Sequence, residues 1–219
     1  MAVKIGQASV SDIQLGTTQI DKVYKGTDVI WEAEFFGIRG ITTSSVSFQI
    51  GGYQGQPAYT ANIVSDNGDG TYTFECREKF SDVRHLLDSN NSIIKVTLLS
   101  LPATITDIGS LFNSCLNLTE ITKIVLHAPA VSIAGLIHGC RALTYFPDLK
   151  GLVTAMCTDI HSSLSYTTKL DIDVSGWNTE GITVQSNMGC FNGLSDFNTR
   201  IMHVTWGAGF FNTMVNITI

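Results

Sequence analysis

Two aspartates in the last third of the chain have the spacing of a catalytic or cation-binding pair. Asp171 and Asp173 lie two residues apart, and alternate residues of a strand point to the same face. Such a pair could bind a cation or assist hydrolysis. The aliphatic residues at 170, 172 and 174 instead favour the solvent-facing side of a half-buried strand. We therefore place both aspartates on a possible recognition surface.

The five histidines form no known metal or catalytic motif. No two have the spacing of helical metal ligands, and H-E-x-x-H, G-x-S-x-G and P-loop patterns do not occur. His138 falls at a repeated turn position, and His203 lies in a predicted strand, where we assign it to the possible recognition surface. The sequence predicts no catalytic residue, no metal site, no cofactor and no enzymatic activity.

The cysteines and one acidic turn are predicted to be structural. Five cysteines without a CxxC pair indicate neither a disulfide framework nor a zinc site. Cys115 and Cys140 share a repeat position and are predicted to be small buried side chains. The segment 65–70 is rich in Asp, Asn and Gly, but an EF-hand loop starting at Asp66 would have glycines at its third and fifth positions. A hairpin turn is therefore predicted there.

The composition excludes several classes of function. The chain has 219 residues and a net charge of −6, and only 15% of its residues are charged, against about 25% in typical globular proteins. It has no basic cluster, so nucleic-acid binding is not expected. No apolar stretch is long enough for a signal peptide or a bilayer span, so neither export nor membrane insertion is expected.

A repeated segment organises the second half of the chain. Its copies lie at residues 111–119, 136–144, 160–168 and 190–198, the third being degenerate. Aligning their fifth positions, residues 115, 140, 164 and 194, gives steps of 25, 24 and 30 residues. Such a period is typical of solenoids. Each copy is predicted to hold a short helix, a turn and a strand, with the strands forming a parallel sheet under the helices.

A shorter repeat opens the chain. Residues 13–20 and 23–30 align at an offset of ten and alternate apolar and polar side chains around a Gly-Thr pair, which predicts two hairpins. About 34 residues cannot form a stable core alone, so this module is expected to dock onto sister copies or other proteins, giving a homo-oligomer or larger assembly. The expected attachment residues are its apolar positions: Ile13, Leu15, Ile20, Val23, Tyr24, Ile30 and Trp31.

The predicted fold is therefore a β-rich α+β protein in three parts. Residues 1–34 form the β attachment module. Residues 35–92 form a β-rich middle segment that ends in a short helix, residues 81–88, with Ser81 as its N-cap. Residues 93–219 form the solenoid. Tyr145 and Tyr166 lie near its strands and join the possible recognition surface, because exposed aromatic rings suit protein or sugar contacts.

Two resemblances indicate a function. The pattern L-F-x-x-C-x-x-L-T at 111–119 and the segment 170–183 resemble BspA-type leucine-rich repeats, over about residues 95–207. That resemblance implies a curved solenoid used for adhesion and surface recognition. Residues 13–31 resemble a segment that opens many tailed-phage virion proteins.

Together these resemblances imply a non-enzymatic virion component, such as a head or tail fibre, decoration or adaptor protein, assembled in the host cytoplasm. Its expected partners are other virion proteins, sister copies and a host surface protein or glycan. The alternative is a BspA-like bacterial surface adhesin or another host-binding leucine-rich-repeat protein. The apparent lack of an export signal disfavours the adhesin.

Overall fold

The computed structural model describes the chain as two compact units, Met1–Phe35 and Phe36–Ile219. The described residues are 13–15, 18–20, 22–25, 28–32, 35–171, 174, 176–182 and 189–193. The first unit contains two antiparallel strand pairs, as its ten-residue repeat predicts. Strand β1 (Ile13–Leu15) pairs with β2 (Thr18–Ile20), and β3 (Lys22–Lys25) pairs with β4 (Asp28–Glu32). All seven predicted attachment residues lie on these strands.

The second unit begins with antiparallel strands. They are β5 (Gly37–Thr42), β6 (Phe48–Gly51), β7 (Ala58–Asp66) and β8 (Tyr72–Cys76), and they continue into β9 (Ile93–Leu101). The hairpin turn predicted between β7 and β8 is confirmed. The Asn67 N–H donates to Thr71 O at 3.0 Å, and Asp66 Oδ1 accepts from the Gly68 N–H at 2.8 Å.

Strand β9 joins this antiparallel part to a parallel part. It pairs antiparallel with β5, and in parallel with β10 (Glu120–Ile121) and β11 (Ile124–Leu126). The path through the seven-stranded sheet is β10-β9-β5-β8-β7-β6, with β11 also on β9. Lys95 lies opposite Glu120, and a parallel bridge then joins Glu120 to Tyr145. Residues about 25 positions apart in sequence are therefore neighbours along the hydrogen-bonding direction.

Five turn segments stack beside this sheet in the same order. They span residues 85–89, 110–114, 135–139, 162–166 and 189–193, and the first and last residue of each has a positive φ angle. Backbone hydrogen bonds connect each turn segment to the next. Leu87 donates to Leu111 O, Phe112 to Leu136 O, Ile137 to Ser163 O and Leu164 to Cys190 O, at 2.9 to 3.0 Å.

The predicted α+β class and helix-covered solenoid are wrong. Among the described residues only two short 3₁₀ turns occur, Tyr53–Gly55 and Pro147–Gly151, and the strands form one open mixed sheet with two separate strand pairs. A helix is predicted at residues 81–88, but residues 81–84 lead into the first turn segment and residues 85–88 belong to it. The physical reason is that each segment has a positive φ at two residues four positions apart and that its alternate N–H groups bond to the next segment, which prevents an i→i−4 ladder.

The third copy of the repeat, residues 160–168, is aligned with the other copies in a different register from the one that the sequence predicts. Positive φ angles make Tyr166 equivalent to Gly139, so Thr167, rather than Leu164, is equivalent to Cys140. The true steps are 25, 27 and 27 residues. The described residues of the strand predicted at 169–174 are not in a strand. Asp173, the strand predicted at 200–206 and the rest of the chain beyond residue 193 lie outside the described residues.

One hydrophobic core runs through the second unit. In the stacked part it is built from columns of buried residues at equivalent positions. The members of one column are β-branched aliphatic residues that are no more than 1% exposed: Val83, Ile108, Ile133 and Ile160. A second column comprises Ile93, Leu118, Leu143 and Leu170. Because each column continues from one segment to the next, every segment buries its apolar side against its neighbours.

Candidate recognition face

The side chains that shape each turn segment also recur in columns. Asp82, Asp107 and Asp159 each accept a hydrogen bond from the backbone N–H two residues ahead, at 2.9 Å. Ser132 Oγ does the same at 3.3 Å. These are Asx-type and Ser-type turns, which satisfy a backbone donor locally and start the chain reversal. This column is a signal in the sequence that would have located the first turn segment and corrected the register of the fourth, residues 162–166.

The fourth position of each turn segment carries a polar residue. The column comprises Asp88, Asn113, His138, Ser165 and Asn192. Its first three members are half-buried, Ser165 is buried and Asn192 is exposed. We call the surface formed by the turn segments the turn face. The first two residues of the column contact each other, since Asn113 Nδ2 donates to Asp88 Oδ2 at 3.2 Å.

The residue that follows the second, third and fourth turn segments is a buried donor. Cys115 Sγ donates to Leu87 O and Cys140 Sγ to Phe112 O, both at 2.9 Å. Thr167 Oγ1 makes the equivalent bond to Ile137 O at 2.7 Å. The prediction that the two cysteines are small and buried is confirmed, since both are 0% exposed. Their thiols also link one layer to the next.

The thiols are poorly suited to nucleophilic chemistry. Burial raises the pKa of Cys140 and of Cys190 to about 12, and raises the pKa of Cys115 well above its ordinary value. A nucleophilic cysteine needs a lowered pKa and solvent access. All five cysteines are buried, so their positions favour packing and hydrogen bonding over reactivity.

The predicted recognition residues are not brought together as one site. Tyr145 is 50% exposed and bridges to Glu120 on the sheet, whereas Tyr166 is 44% exposed and ends the fourth turn segment. The Tyr166 ring packs on the His138 ring with a centroid separation of 5.5 Å. Asp171 is exposed. Asp173 and His203 lie outside the described residues, so the proposed carboxylate pair stays a prediction.

Other polar groups that could act together are few in the described chain. No group of three or more His, Cys, Asp or Glu residues in it is arranged to hold a metal ion. Ser100 Oγ lies 3.4 Å from His127 Nε2, but Ser100 is 4% exposed within β9, which restricts its access to substrate. None of the described helices is long and apolar enough to cross a membrane.

A cleft that sequence reasoning missed lies beside the first turn segment. It has a volume of 290 Å³, and it is bounded by the segment 49–53 and by residues 85–90. Tyr53 packs on His85 with a ring-centroid separation of 4.5 Å, and His85 Nδ1 lies 2.8 Å from Asp88 Oδ2. No short motif connects these residues, because Tyr53 and His85 are 32 positions apart.

Comparisons with protein-family models, with curated proteins and with solved structures found no match to this chain.

Proposed function

We propose that the protein is a non-enzymatic structural component of a tailed-phage particle that docks through its first unit and presents the turn face for recognition. The observation that carries the proposal is the repeated turn face itself. Five consecutive segments keep the same backbone geometry while their fourth position varies among Asp, Asn, His and Ser. A constant scaffold with variable polar side chains is typical of repeat proteins that bind through an extended surface.

The first unit supports the docking part of the proposal. Its strands are three to five residues long, and so small a unit needs other surfaces to bury its apolar residues. The resemblance of residues 13–31 to the opening segment of phage virion proteins gives the expected partner. The docking residues proposed are Ile13, Leu15, Ile20, Val23, Tyr24, Ile30 and Trp31. Assembly into a homo-oligomer belongs to the same proposal.

The chemistry of the described residues supports a non-enzymatic role. The buried thiols have raised pKa values, and the acidic residues serve mainly as turn caps or ion-pair partners. Glu75, for example, bonds to Arg39 and Arg77. These interactions stabilise the fold.

Incorporation into particles tests the proposal directly. The tagged chain is expressed from its own genomic locus, and particles are purified on a density gradient and examined by mass spectrometry and immuno-electron microscopy. We expect the full-length chain in the particle fraction. Deletion of residues 1–34 should abolish incorporation while leaving residues 36–219 folded by circular dichroism, because those residues form a compact unit of their own.

Recovery of the chain outside the particle fraction, or incorporation without the first unit, would overturn the proposal. Exclusive recovery of the full-length chain at the bacterial surface would favour the adhesin. Incorporation of the chain lacking residues 1–34 at the full-length level would show that docking does not depend on the first unit. A matched substitution on the sheet, Val64→Ala, should leave incorporation unchanged, since Val64 is 58% exposed and lies in the second unit.

A further inference from the structure

The cleft beside the first turn segment has a composition that selects one class of ligand. We propose that it binds a single pyranose residue of a neutral glycan, with Tyr53 as the platform and Asp88 as the hydroxyl acceptor. This inference rests on the proposed recognition role of the turn face and locates its ligand-binding end. Its volume of 290 Å³ is near the lower end of small-ligand pockets, which suits one sugar ring.

His85 is the residue that sets the first turn segment apart from the others. It has a φ angle of 56°, and the equivalent residues of the later segments are Ser110, Gly135, Ser162 and Gly189. Histidine is one of the non-glycine residues that adopt a positive φ more often than most, so the angle itself is not unusual. The later segments show that the fold accepts serine or glycine there. The imidazole therefore calls for an explanation other than the turn itself.

The imidazole of His85 contacts both Tyr53, which follows β6, and Asp88, which lies in the first turn segment, so these residues form one continuous side of the cleft. Its ring packs on Tyr53 with an interplanar angle of 31°, and its Nδ1 pairs with Asp88 Oδ2. The Gly51 N–H also donates to Leu86 O at 2.7 Å, which holds the end of β6 against the turn segment. Tyr53 remains 44% exposed. The cleft therefore contains a solvent-accessible Tyr53 ring that packs on His85, and an Asp88 carboxylate that His85 holds in place.

The hydrogen bonds of Asp88 leave capacity for one further donor. Oδ2 accepts from Asn113 Nδ2 at 3.2 Å and pairs with His85, and Oδ1 accepts from Ser89 Oγ at 2.9 Å. A carboxylate has about four acceptor positions, so one stays open on Oδ1. Asp88 is held by three neighbouring side chains and is only 12% exposed, which pre-organises that position for a hydroxyl group.

The remaining lining residues disfavour other ligands. No lysine or arginine is among the described residues that line the cleft, which disfavours phosphate and carboxylate groups. The partly occupied carboxylate offers few sites to a divalent cation, which takes six or more oxygen ligands when it is calcium. A pyranose has a C–H face for an aromatic ring and hydroxyl groups that donate and accept, and this combination matches Tyr53 and Asp88.

Direct binding of simple sugars to the isolated full-length chain tests the inference. The probes are the methyl α-pyranosides of glucose, galactose, mannose and N-acetylglucosamine at millimolar concentration, followed by saturation-transfer NMR. We expect transfer to the ring protons of at least one pyranoside. In ¹⁵N spectra the amide shifts should be confined to residues 49–54 and 85–90.

Three substitutions separate the proposed contacts. Tyr53→Ala should weaken binding about tenfold or more, whereas Tyr53→Phe should change it less than about twofold, because the ring and not the hydroxyl group supplies the platform. His85→Ser should weaken binding and still fold, since serine is the native residue at the equivalent positions 110 and 162. Met156→Ala is the control, because Met156 is 60% exposed and does not line the cleft.

The inference is overturned if no pyranoside shows saturation transfer, or if Tyr53→Ala and His85→Ser bind like the parent chain. These failures differ from a failure of the proposed docking role. Binding of the isolated chain does not require a particle, and loss of the chain from particles after deletion of residues 1–34 leaves the cleft residues in place. If the chain binds sugar but is absent from particles, the proposed sugar site in the cleft stands and the proposed role as a virion component is rejected.

Discussion

The antiparallel part of the second unit, strands β5 to β8, and its stacked part, the described residues between 80 and 193, bury their apolar side chains in different ways. In the antiparallel part, residues 58–66 and 72–76 pair through one local turn. In the stacked part, parallel bridges join equivalent residues 25 to 27 positions apart. Local turns fix register independently at each hairpin, whereas a stack fixes it collectively. Strand β9 belongs to both arrangements and one core serves them.

The largest expected effect comes from removing a core side chain of the stack. Leu136→Ala should lower the free energy of unfolding by about 2–5 kcal/mol, because Leu136 is 0% exposed and its loss leaves a cavity. Urea denaturation gives this value. Hydrogen exchange should accelerate most in residues 108–114, 133–140 and 160–166. Ile50→Ala is the matched variant in the antiparallel part, and its faster exchange should centre on residues 48–76. Indistinguishable exchange patterns would remove the contrast between the two parts.

Substitutions at two glycines, one in the antiparallel part and one in the stacked part, should have smaller effects on stability. A Cβ at Gly40 in β5 would lie 2.1 Å from Lys95 O and 2.7 Å from the Phe74 ring, so Gly40→Ala should cost about 1–3 kcal/mol or more. A Cβ at Gly139 would lie 3.5 Å from Ser114 Oγ.

Gly139→Ser is therefore expected to cost only about 1 kcal/mol, the strain of a positive φ. The equivalent Ser114 already adopts a φ of 56°. Thermal unfolding of both variants measures the difference. Equal losses of stability would show that the stack is as intolerant of its turn residues as the sheet is of close backbone contact.

Alkaline pH should affect the stack through its buried thiols. Burial raises the folded-state pKa of Cys140 to about 12 from an ordinary value of 9.0. Its contribution is fully present below pH 9 and is lost as the pH rises toward 12, because only the unfolded chain releases the proton readily. The loss should approach about 1.4 kcal/mol per pH unit for one thiol.

The matched variant for this effect is Cys140→Thr. Threonine is native at the equivalent position 167, where it donates to Ile137 O. We expect this variant to fold and to show a weaker decline of the urea midpoint between pH 9 and 10.5 than the parent chain. An unchanged slope would mean that Cys140 does not carry the alkaline dependence.

The smallest expected effect lies in the antiparallel part at acidic pH. Partial burial opposes ionisation of Glu75, but hydrogen bonds from Arg77 and Arg39 outweigh it and lower the pKa of its carboxyl group. The contribution to stability is therefore present above pH 4.5, the ordinary value, and is lost as the pH falls below it. Glu75→Gln should cost less than about 1 kcal/mol at pH 7 and should show a shallower acid dependence in urea titrations. A loss as large as that of Leu136→Ala would contradict this.

Local patterns predicted the local structure well. The ten-residue repeat at 13–30 predicts two hairpins, and the Asp/Asn/Gly cluster at 65–70 predicts the β7–β8 turn. Both depend on side chains and turn chemistry within a few residues of one another.

The cleft could not be predicted because its residues are far apart in the sequence. Tyr53 comes from a loop after β6, His85 and Asp88 from the first turn segment, and Asn113 from the second. Nothing in the short-range pattern around Tyr53 indicates that the loop will lie against the turn segments. The cleft also depends on the first turn segment, where the sequence predicts a helix because Ser81 and the apolar residues after it fit a capped helix.

By itself the sequence determined that copies recur about every 25 residues and that their apolar positions must be buried together, because one copy is too small to shield them from water. Tertiary structure decided that each copy turns rather than winds into a helix. Only when the copies stack do their N–H groups find carbonyl partners in the next layer, and those bonds replace the i→i−4 bonds of a helix. The same stacking decided which distant side chains meet at Tyr53, His85 and Asp88.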